Sequence, residues 1–239
     1  MEQESPPPRP VITPSMEEAI NRARYGSADL VYFENQNSNI TGKQMHNLKD
    51  GEWLDDEIIN FTTKAIQERN ETKGLRKIFC ILTFFLPKLL QRGYDVSTRL
   101  LGKTNVFEYD LLIIPLNQRK KHWSLFAVDN IKKQISYYDS CLALYGTAES
   151  PPYTKCFKAL QDFLEKEHLK QKGTKMESLY TTFTDRNVPQ QDNGNDCGVF
   201  TCQFAECLSR DAPFRLSPAD IPYFRKKMAW EILIKKFYE

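Results

Sequence analysis

Several patterns that would place this chain in a specialised class are missing from its 239 residues. No stretch reaches the roughly 18 to 20 uncharged apolar residues that a membrane-spanning helix needs. The start, MEQESPPPRP, has neither the basic flank nor the apolar core of a signal peptide. There is no CxxC or HExxH pattern, and the three histidines are scattered. We therefore expect a soluble protein that is not secreted by that route, has no membrane partner, and contains no metal or other cofactor.

An excess of charge of one sign is also missing. Thirty-three basic and thirty-one acidic residues leave a net charge of +2, which is too small to predict nucleic acid as a partner. We interpret the basic clusters at 119–121, 225–227 and 235–236 as solvated faces. The six cysteines do not demand a disulfide framework, because a chain of this length can bury a core without one. A reducing compartment fits this pattern best.

What is present is the composition of an ordinary globular chain, with 41% apolar and 27% charged residues. The first 14 residues include five prolines, a density that suits extended chain and cannot bury a core. We expect a disordered proline-rich tail over residues 1–14 and a single domain over residues 15–239.

Helical patterns lie on both sides of a central group of strands. Ser15 as a cap and Gly26 as a stop predict a first short helix, and WLDDEIINFTTKAIQERN predicts an amphipathic one with Trp53 at its entrance. The apolar run 78–87 fits a buried helix or a strand. VFEYDLLIIPL, HWSLFAVDN and QISYYDS predict three strands, and helical patterns return in QDFLEKEHLK, CGVFTCQFAECLSR and FRKKMAWEILIKKF. Such segregation predicts an α+β fold.

Cys197 is a candidate nucleophile because of the residues that precede it. A polar turn over residues 192–196 leads into an apolar helix whose first turn holds this cysteine. The positive end of the helix dipole and unpaired N–H groups favour the reactive thiolate. The alternative is a buried cysteine acting as a small hydrophobe. We adopt that alternative for Cys202 and Cys207, which fall on later apolar turns.

A nucleophilic cysteine needs a base, and the base needs an orienting group. His122 and Asp139 lie on the same face if their strands form a hairpin with an even-length loop around Asn130 and Ile131. With a two- or four-residue loop centred there, they stand directly opposite each other. Taken alone, such a histidine is more often structural and such an aspartate more often forms a turn.

Gln191 lies six residues before Cys197 on the approach loop. A side-chain amide there can point its N–H at the oxygen that becomes negative when a thiolate attacks a carbonyl. The alternative is a solvated loop glutamine, and the adjacent Gln190 is a competing candidate.

The motifs HWSL, YYDS and PQQDNGNDCGVF, in this order, resemble the SUMO-specific proteases, the ubiquitin-like-protein proteases also called sentrin-specific proteases. The similarity extends through WLDDEIINF, TFFLPKL, NVFEYDLLIIPL and FRKKMAWEIL and covers about residues 40–236. The resemblance implies a papain-like α+β cysteine protease with a mostly antiparallel central sheet flanked by helices. It also implies hydrolysis of the bond after the C-terminal Gly-Gly of SUMO, in lysine isopeptides or in the precursor.

The same resemblance assigns roles to the candidate residues. It implies that Cys197 is the nucleophile, His122 the base, Asp139 its orienting acid and Gln191 part of the oxyanion hole. One departure is WLDD where the family usually reads WLND. Asp55 adds a charge near the helix start there, and we treat an effect on modifier preference as a hypothesis.

The resemblance also implies a substrate-binding set. Trp53 and Trp123 would close over the Gly-Gly tail, leaving a slot that only residues without Cβ can thread. Asp56 and Phe84 would face the modifier, with Asp56 pairing with a modifier arginine. From the residues alone, both tryptophans and Phe84 read as core and Asp56 as an acid stabilised at a helix start. The partners expected by resemblance are SUMO and SUMO-conjugated proteins, met by a monomer in the nucleus, including the nuclear envelope.

Two other functions are compatible with parts of this pattern. An acyltransferase can use a His, acidic and Cys triad of similar order and pass the acyl group to an amine. A catalytically inactive binding module is the third option. The nearly full-length similarity and the two tryptophans argue against the acyltransferase. The presence of Cys197, His122 and Asp139 argues against the inactive binding module.

Overall fold

The computed structural model describes residues 9–35, 38–142 and 153–239. Helices α1 to α8 span Pro14–Tyr25, Gly42–His46, Asp56–Lys73, Phe85–Arg92, Tyr94–Ser97, Thr154–Lys172, Cys197–Ser209 and Ile221–Ile234. Strands β1 to β7 span Val31–Asn35, Ser38–Thr41, Ile78–Cys80, Leu111–Gln118, His122–Asp129, Gln134–Tyr138 and Thr181–Thr184. This order confirms the predicted α+β class. Across those ranges, the helices are too short or too polar for any of them to cross a bilayer.

The main sheet has five strands in the order β3-β4-β5-β6-β7. The central pairs β4–β5 and β5–β6 are antiparallel, whereas β3–β4 and β6–β7 are parallel. Helices intervene between β3 and β4 and between β6 and β7, and such crossover connections bring strands together in parallel. The sheet is therefore mixed, and the mostly antiparallel arrangement that we expected holds only for its three central strands.

Alternate residues of β5 belong to two separate cores. Trp123, Leu125 and Ala127 pack with residues of α1, α3, α7 and α8. Phe126 and Val128 pack with residues of α4 and α6 on the opposite face. Because side chains alternate along a strand, this sheet lies between two helical layers.

The apolar run 78–87 divides between a strand and a helix. It contributes β3, then a short connection, then the start of α4. Asn60 of α3 binds that connection, since its Oδ1 accepts from the Thr83 amide at 3.0 Å and its Nδ2 donates to Thr83 Oγ1 at 3.2 Å. These two hydrogen bonds hold the connection between β3 and α4, and Phe84 within it is 43% exposed.

The cap of the first helix is Thr13 and not Ser15. Thr13 Oγ1 accepts from the Met16 amide at 3.4 Å, and Pro14 occupies the first helical position. Proline is favoured there because the N–H at the first helical position has no acceptor within the helix, so its absence costs nothing. The helix therefore begins at Pro14, two residues before the start that a Ser15 cap implies.

The segment before α1 is attached to the domain. We expected residues 1–14 to be disordered, but the Arg9 guanidinium donates to Asp220 at 2.8 Å, and the Tyr223 hydroxyl of α8 donates to the Pro10 carbonyl at 2.8 Å. The remaining part of the predicted tail, residues 1–8, lies outside the described residues.

Asp55 caps α3 and faces inward. Its Oδ1 accepts from the Ile58 amide at 3.1 Å, and its Oδ2 accepts from Asn47 Nδ2 at 3.1 Å. Burial is the main cause that raises the pKa of this carboxyl, against the lowering effect of the Ile58 hydrogen bond. The Asp55 carboxylate, whose charge we linked to modifier preference, therefore binds groups of the protein itself.

Replacing Asp55 by Asn keeps an oxygen acceptor for the Ile58 amide and removes a charge that burial disfavours. Because the folded pKa of Asp55 is raised, its contribution to stability is fully present below the unfolded pKa of about 3.9 and is lost as pH rises. We expect Asp55→Asn to be at least as stable as wild type at pH 7 and Asp55→Ala to lose about 1 kcal/mol. Urea unfolding measures both, and an Asn variant less stable than the Ala variant would contradict the capping role.

Candidate active site

Cys197 opens α7 and is 2% exposed. The preceding residue, Asp196, makes no side-chain capping bond, so no side-chain oxygen of this cap accepts from the N–H groups of the first turn. The Trp123 amide points at the sulfur, with an N to Sγ distance of 3.4 Å. Both features stabilise negative charge on the thiol. The predicted position of Cys197 at a helix N-terminus agrees with the structure.

Gly198 lets α7 approach the segment before α3 closely. A Cβ on Gly198 would lie 2.9 Å from Leu54 Cβ, a distance too short for two carbon atoms. The carbonyl of Leu54 also accepts from Trp123 Nε1 at 2.8 Å. Leu54 therefore ties Trp53, its neighbour in the chain, to the surroundings of Cys197.

The structure brings His122 and Asp139 together, with 2.7 Å between Nε2 and Oδ1. They share one face of the sheet, as predicted, but they are not directly opposite. Leu125 pairs with Tyr138, a register that places His122 and Asp139 on a diagonal. The loop is four residues long, 130–133, and its centre lies one residue later than we expected.

Asp129 sets the position of that loop. Its Oδ1 accepts from the amides of Ile131 at 3.0 Å and Lys132 at 2.8 Å. Lys133 closes the loop with φ of 52°, in the left-handed region. Neither feature has a distinctive pattern in the sequence, which explains the register error.

Asp139 is fully buried and held by three donors. Besides His122, the Tyr137 hydroxyl donates to Oδ2 at 2.6 Å and the Cys141 amide donates to Oδ1 at 2.8 Å. Gln118 Nε2 donates to the Tyr137 oxygen at 2.7 Å. Our sequence reasoning missed Tyr137, although its position two residues before Asp139 puts both on one face of an extended strand.

The neighbours of His122 control its charge. Burial alone would lower the pKa of His122, but the hydrogen bonds and negative charges of Asp139 and Cys197 together raise it to about 9. The imidazole is therefore protonated at neutral pH. A cation beside the sulfur favours an ion pair and provides a proton donor at the same place.

Gln191 and Gln190 have different surroundings. The Gln191 amide N–H donates to the Ser140 carbonyl at 2.9 Å, its Oε1 accepts from Ser140 Oγ at 2.7 Å, and its Nε2 donates to the Asn193 carbonyl at 2.6 Å. A primary amide carries a second N–H, which remains for an oxyanion. Gln190 donates to the backbone carbonyl of Asp139 at 3.2 Å, so its side chain holds the Asp139 backbone and does not replace Gln191 as the candidate oxyanion donor.

The substrate-binding candidates occupy two environments. Trp53 is 48% exposed and Phe84 43% exposed, as a surface that meets another protein requires. Asp56 is partly buried in the first turn of α3. Trp123 is only 4% exposed and belongs to the core, which is what composition alone favours.

Of the other cysteines, Cys156, Cys202 and Cys207 are buried, and Cys80 and Cys141 are partly buried. Burial is the largest cause that raises their pKa values: to about 11 for Cys156, to about 12 for Cys80, Cys141 and Cys207, and further for Cys202. A thiol with so high a pKa is a poor nucleophile at neutral pH. This matches the interpretation of Cys202 and Cys207.

Arg225 supports the candidate site from within the core, and the sequence interpretation missed it. It is 1% exposed, and it donates to Asp196 Oδ1 from Nη2 at 2.6 Å and from Nε at 3.2 Å. It also donates to the carbonyls of Asn47, Lys49 and Glu52. Arg225 therefore joins α8 to the residue before Cys197 and to the loop before Trp53.

The basic clusters have different outcomes. We interpreted 225–227 as a solvated face, but Arg225 and Lys227 are buried and pair with Asp196 and Glu231. A buried cation that is paired and hydrogen-bonded belongs to the core framework, so that interpretation was wrong. The clusters at 119–121 and 235–236 are exposed, as predicted.

Comparison with known proteins gives a consistent family. A model of the Ulp1 protease family, C-terminal catalytic domain, matches residues 52–236. The chain is 35% identical over 226 residues to Sentrin-specific protease 2 of Homo sapiens, covering 93% of this chain and 37% of that protein. It is 37% identical over 201 residues to the Sentrin-specific protease of Caenorhabditis elegans, covering 82% of this chain and 27% of that protein. The chain thus spans well under half the length of these relatives.

Solved structures agree with this match over nearly the whole chain. The C-terminal Ulp1 protease domain in complex with Smt3, the yeast ortholog of SUMO, has a TM-score of 0.81 at 27% identity, covering 95% of this chain and 97% of that one. Ulp1 with its catalytic cysteine oxidised to a sulfinic acid has a TM-score of 0.80 at 28% identity, covering 94% of this chain and 96% of that one.

Substitutions in the buried Arg225–Asp196 pair should destabilise the framework around the start of α7. Arg225→Met leaves the Asp196 carboxylate without its counter-charge, and Asp196→Asn leaves the buried guanidinium without its counter-charge. We expect each single variant to lose about 3 to 5 kcal/mol of unfolding free energy, measured in urea, because each leaves an unpaired buried charge. The double variant should lose clearly less than the sum of the two single losses.

Circular dichroism identifies a variant that fails to fold, and Asp196→Asn keeps the test available if Arg225→Met does so. Single losses that simply add in the double variant would contradict the coupling of the two side chains.

Proposed function

This chain belongs to the Ulp1 protease family, and on that premise we propose that it is a thiol protease that hydrolyses the bond after the C-terminal Gly-Gly of SUMO. The bond is the isopeptide to a lysine of a conjugated protein or the peptide bond of the precursor. The observation that carries the proposal is the contact of His122 with both Asp139, at 2.7 Å, and Cys197. The names of the similar proteins, sentrin-specific proteases and Ulp1, support the same substrate class.

Catalysis begins with the Cys197 thiolate attacking the carbonyl carbon of the terminal glycine. The tetrahedral intermediate collapses when the imidazolium of His122 gives its proton to the leaving nitrogen, and the amine departs. Neutral His122 then takes a proton from water as the water oxygen attacks the thioester. Collapse of this second intermediate releases the carboxyl group of SUMO and restores the thiolate and the imidazolium. Asp139 keeps the ring oriented throughout.

The developing oxyanion needs donors that are already in place. The N-terminus of α7 supplies backbone N–H groups, and the second N–H of the Gln191 amide supplies another. Ser140 holds the Gln191 oxygen at 2.7 Å, so this amide does not have to reorganise during the reaction. Loss of one such donor costs a factor of about 100 or more in turnover in acyl-transfer enzymes.

Recognition divides between a slot and a surface. Trp53 and Trp123, linked through Leu54, enclose the Gly-Gly tail, and Asp56 and Phe84 contact the folded part of SUMO. We include in the proposal that the enzyme works as a monomer in the nucleus, including the nuclear envelope, on SUMO and SUMO-conjugated proteins. It needs no cofactor, because the thiol, the imidazole and water complete the chemistry.

Cys197→Ser should retain the complex with SUMO and lose turnover, because a hydroxyl does not form its anion beside this histidine. We expect precursor cleavage below about one hundredth of wild type, with unchanged binding in a pull-down or calorimetric titration. Cys202→Ser is the matched control, since this buried thiol lies on the same helix, and it should cleave normally. An inactive Cys202→Ser together with an active Cys197→Ser would refute the assignment.

The kcat/KM for SUMO carrying a C-terminal fluorogenic amide should fall as pH rises through about 9, because His122 loses its proton there. Its folded pKa lies above the ordinary value of about 6.5, so the charged form is present at neutral pH and lost only on the alkaline side. Asp139→Asn removes a charge that raises this pKa, and the alkaline limb should move to lower pH. A limb that stays in place in Asp139→Asn would contradict the coupling.

A further inference from the structure

The turn between β4 and β5 carries three adjacent cations, Arg119, Lys120 and Lys121, all exposed. Arg119 and Lys120 have φ of 54° and 59°, in the left-handed region. Asn and Gly adopt this conformation with less strain and are the preferred residues of such hairpin turns. Long charged side chains therefore stand at positions where folding alone favours Asn-Gly.

These cations have no ion-pair partner within the part of the chain that the structure describes. On the neighbouring turn, exposed Lys132 pairs with Asp129 and Asp211. In contrast, none of the ion pairs formed within residues 9–35, 38–142 and 153–239 includes a cation of the 119–121 turn. Over these described ranges the turn is thus a positive patch without ion-pair partners, on a chain with a net charge of only +2.

Both ends of the turn are fixed to the candidate catalytic acid. Gln118 and His122, which flank the turn, pair across the strands. His122 contacts Asp139 directly at 2.7 Å, and Gln118 reaches it through the Tyr137 hydroxyl, with distances of 2.7 Å and 2.6 Å. The backbone that carries the three cations is therefore held in a defined place beside the triad.

The direction of the substrate follows from the proposed mechanism, on which this inference rests. His122 gives a proton to the leaving nitrogen, so the conjugated protein must pass on the His122 side of Cys197. Trp123, the next residue in β5, points to the opposite face and meets the segment of Trp53, where the SUMO tail lies. The turn before His122 consequently faces the leaving protein.

We propose that the 119–121 turn binds acidic residues of the conjugated protein beside the modified lysine and so selects among conjugates. The contact is electrostatic and solvent-exposed, so it acts mainly on encounter and KM, and salt screens it. Three exposed pairs of this kind give a preference of about fivefold in kcat/KM at low salt.

Two SUMO–peptide isopeptide conjugates that differ only in carrying three Glu or three Gln residues beside the modified lysine test the proposal. We expect wild type to cleave the Glu conjugate about fivefold faster at about 50 mM salt, with a smaller ratio at about 300 mM. The triple variant Arg119→Gln/Lys120→Gln/Lys121→Gln should cleave both conjugates equally. Its activity on SUMO carrying a fluorogenic amide, which lacks a leaving protein, should equal that of wild type.

Two control variants separate charge from other causes. Lys158→Gln/Lys172→Gln/Lys175→Gln removes the same charge from exposed positions on α6 and the turn after it, and should keep the preference for Glu. Arg119→Asn/Lys120→Gly introduces the favoured turn residues, so it should fold at least as stably as wild type and still lose most of the preference.

The outcomes are distinguishable. Equal cleavage of both conjugates by wild type, or a preference that survives in the triple turn variant, overturns the proposal while the fluorogenic substrate still reports an active enzyme. A wild-type protein that cleaves none of the three substrates overturns the proposed function and this inference together.

Discussion

A single buried guanidinium joins the segments from which the site is built. Arg225 is 1% exposed, and it binds Asp196 and the carbonyls of the loop that leads to Trp53. Taking this ion pair out of water is costly, and only a set of well-placed hydrogen bonds offsets that cost. The same bonds fix the start of α7, so Cys197 can stand at a helix N-terminus next to a carboxylate whose charge is neutralised.

The second anchor is the end of the central sheet. Asp139 receives hydrogen bonds from His122, Tyr137 and the Cys141 amide, which leaves the imidazole one orientation. Side chains alternate along β5, so His122 faces one helical layer and Trp123 the other. Cys197, His122 and the Leu54–Trp123 contact therefore meet where the N-terminus of α7 reaches the end of β5, and neither helical layer alone could assemble them.

Local features were predictable from the sequence and non-local ones were not. The polar turn before Cys197 and the periodicity of its helix lie within a few residues, and they correctly predicted that Cys197 stands at a helix N-terminus. Whether His122 and Asp139 share a face depends only on whether the loop between their strands has an even number of residues. Their diagonal register depends on the hydrogen bonds from the loop amides to Asp129. Arg225 reads as a surface cation because its partner lies 29 residues away. The strand β7 and the parallel pairing of β3 and β7 escaped prediction for the same reason, since long crossovers connect these strands to their neighbours.

The central claim is that Cys197 alone, activated by this framework, attacks the carbonyl at the end of SUMO. Reaction with SUMO bearing a C-terminal vinyl sulfone, followed by proteolysis and mass spectrometry, tests it most directly. We expect a single thioether at Cys197 in the folded wild-type protein and no adduct at the other five cysteines. A thioether at any of those five, or a folded protein that forms no adduct at all, would contradict the account.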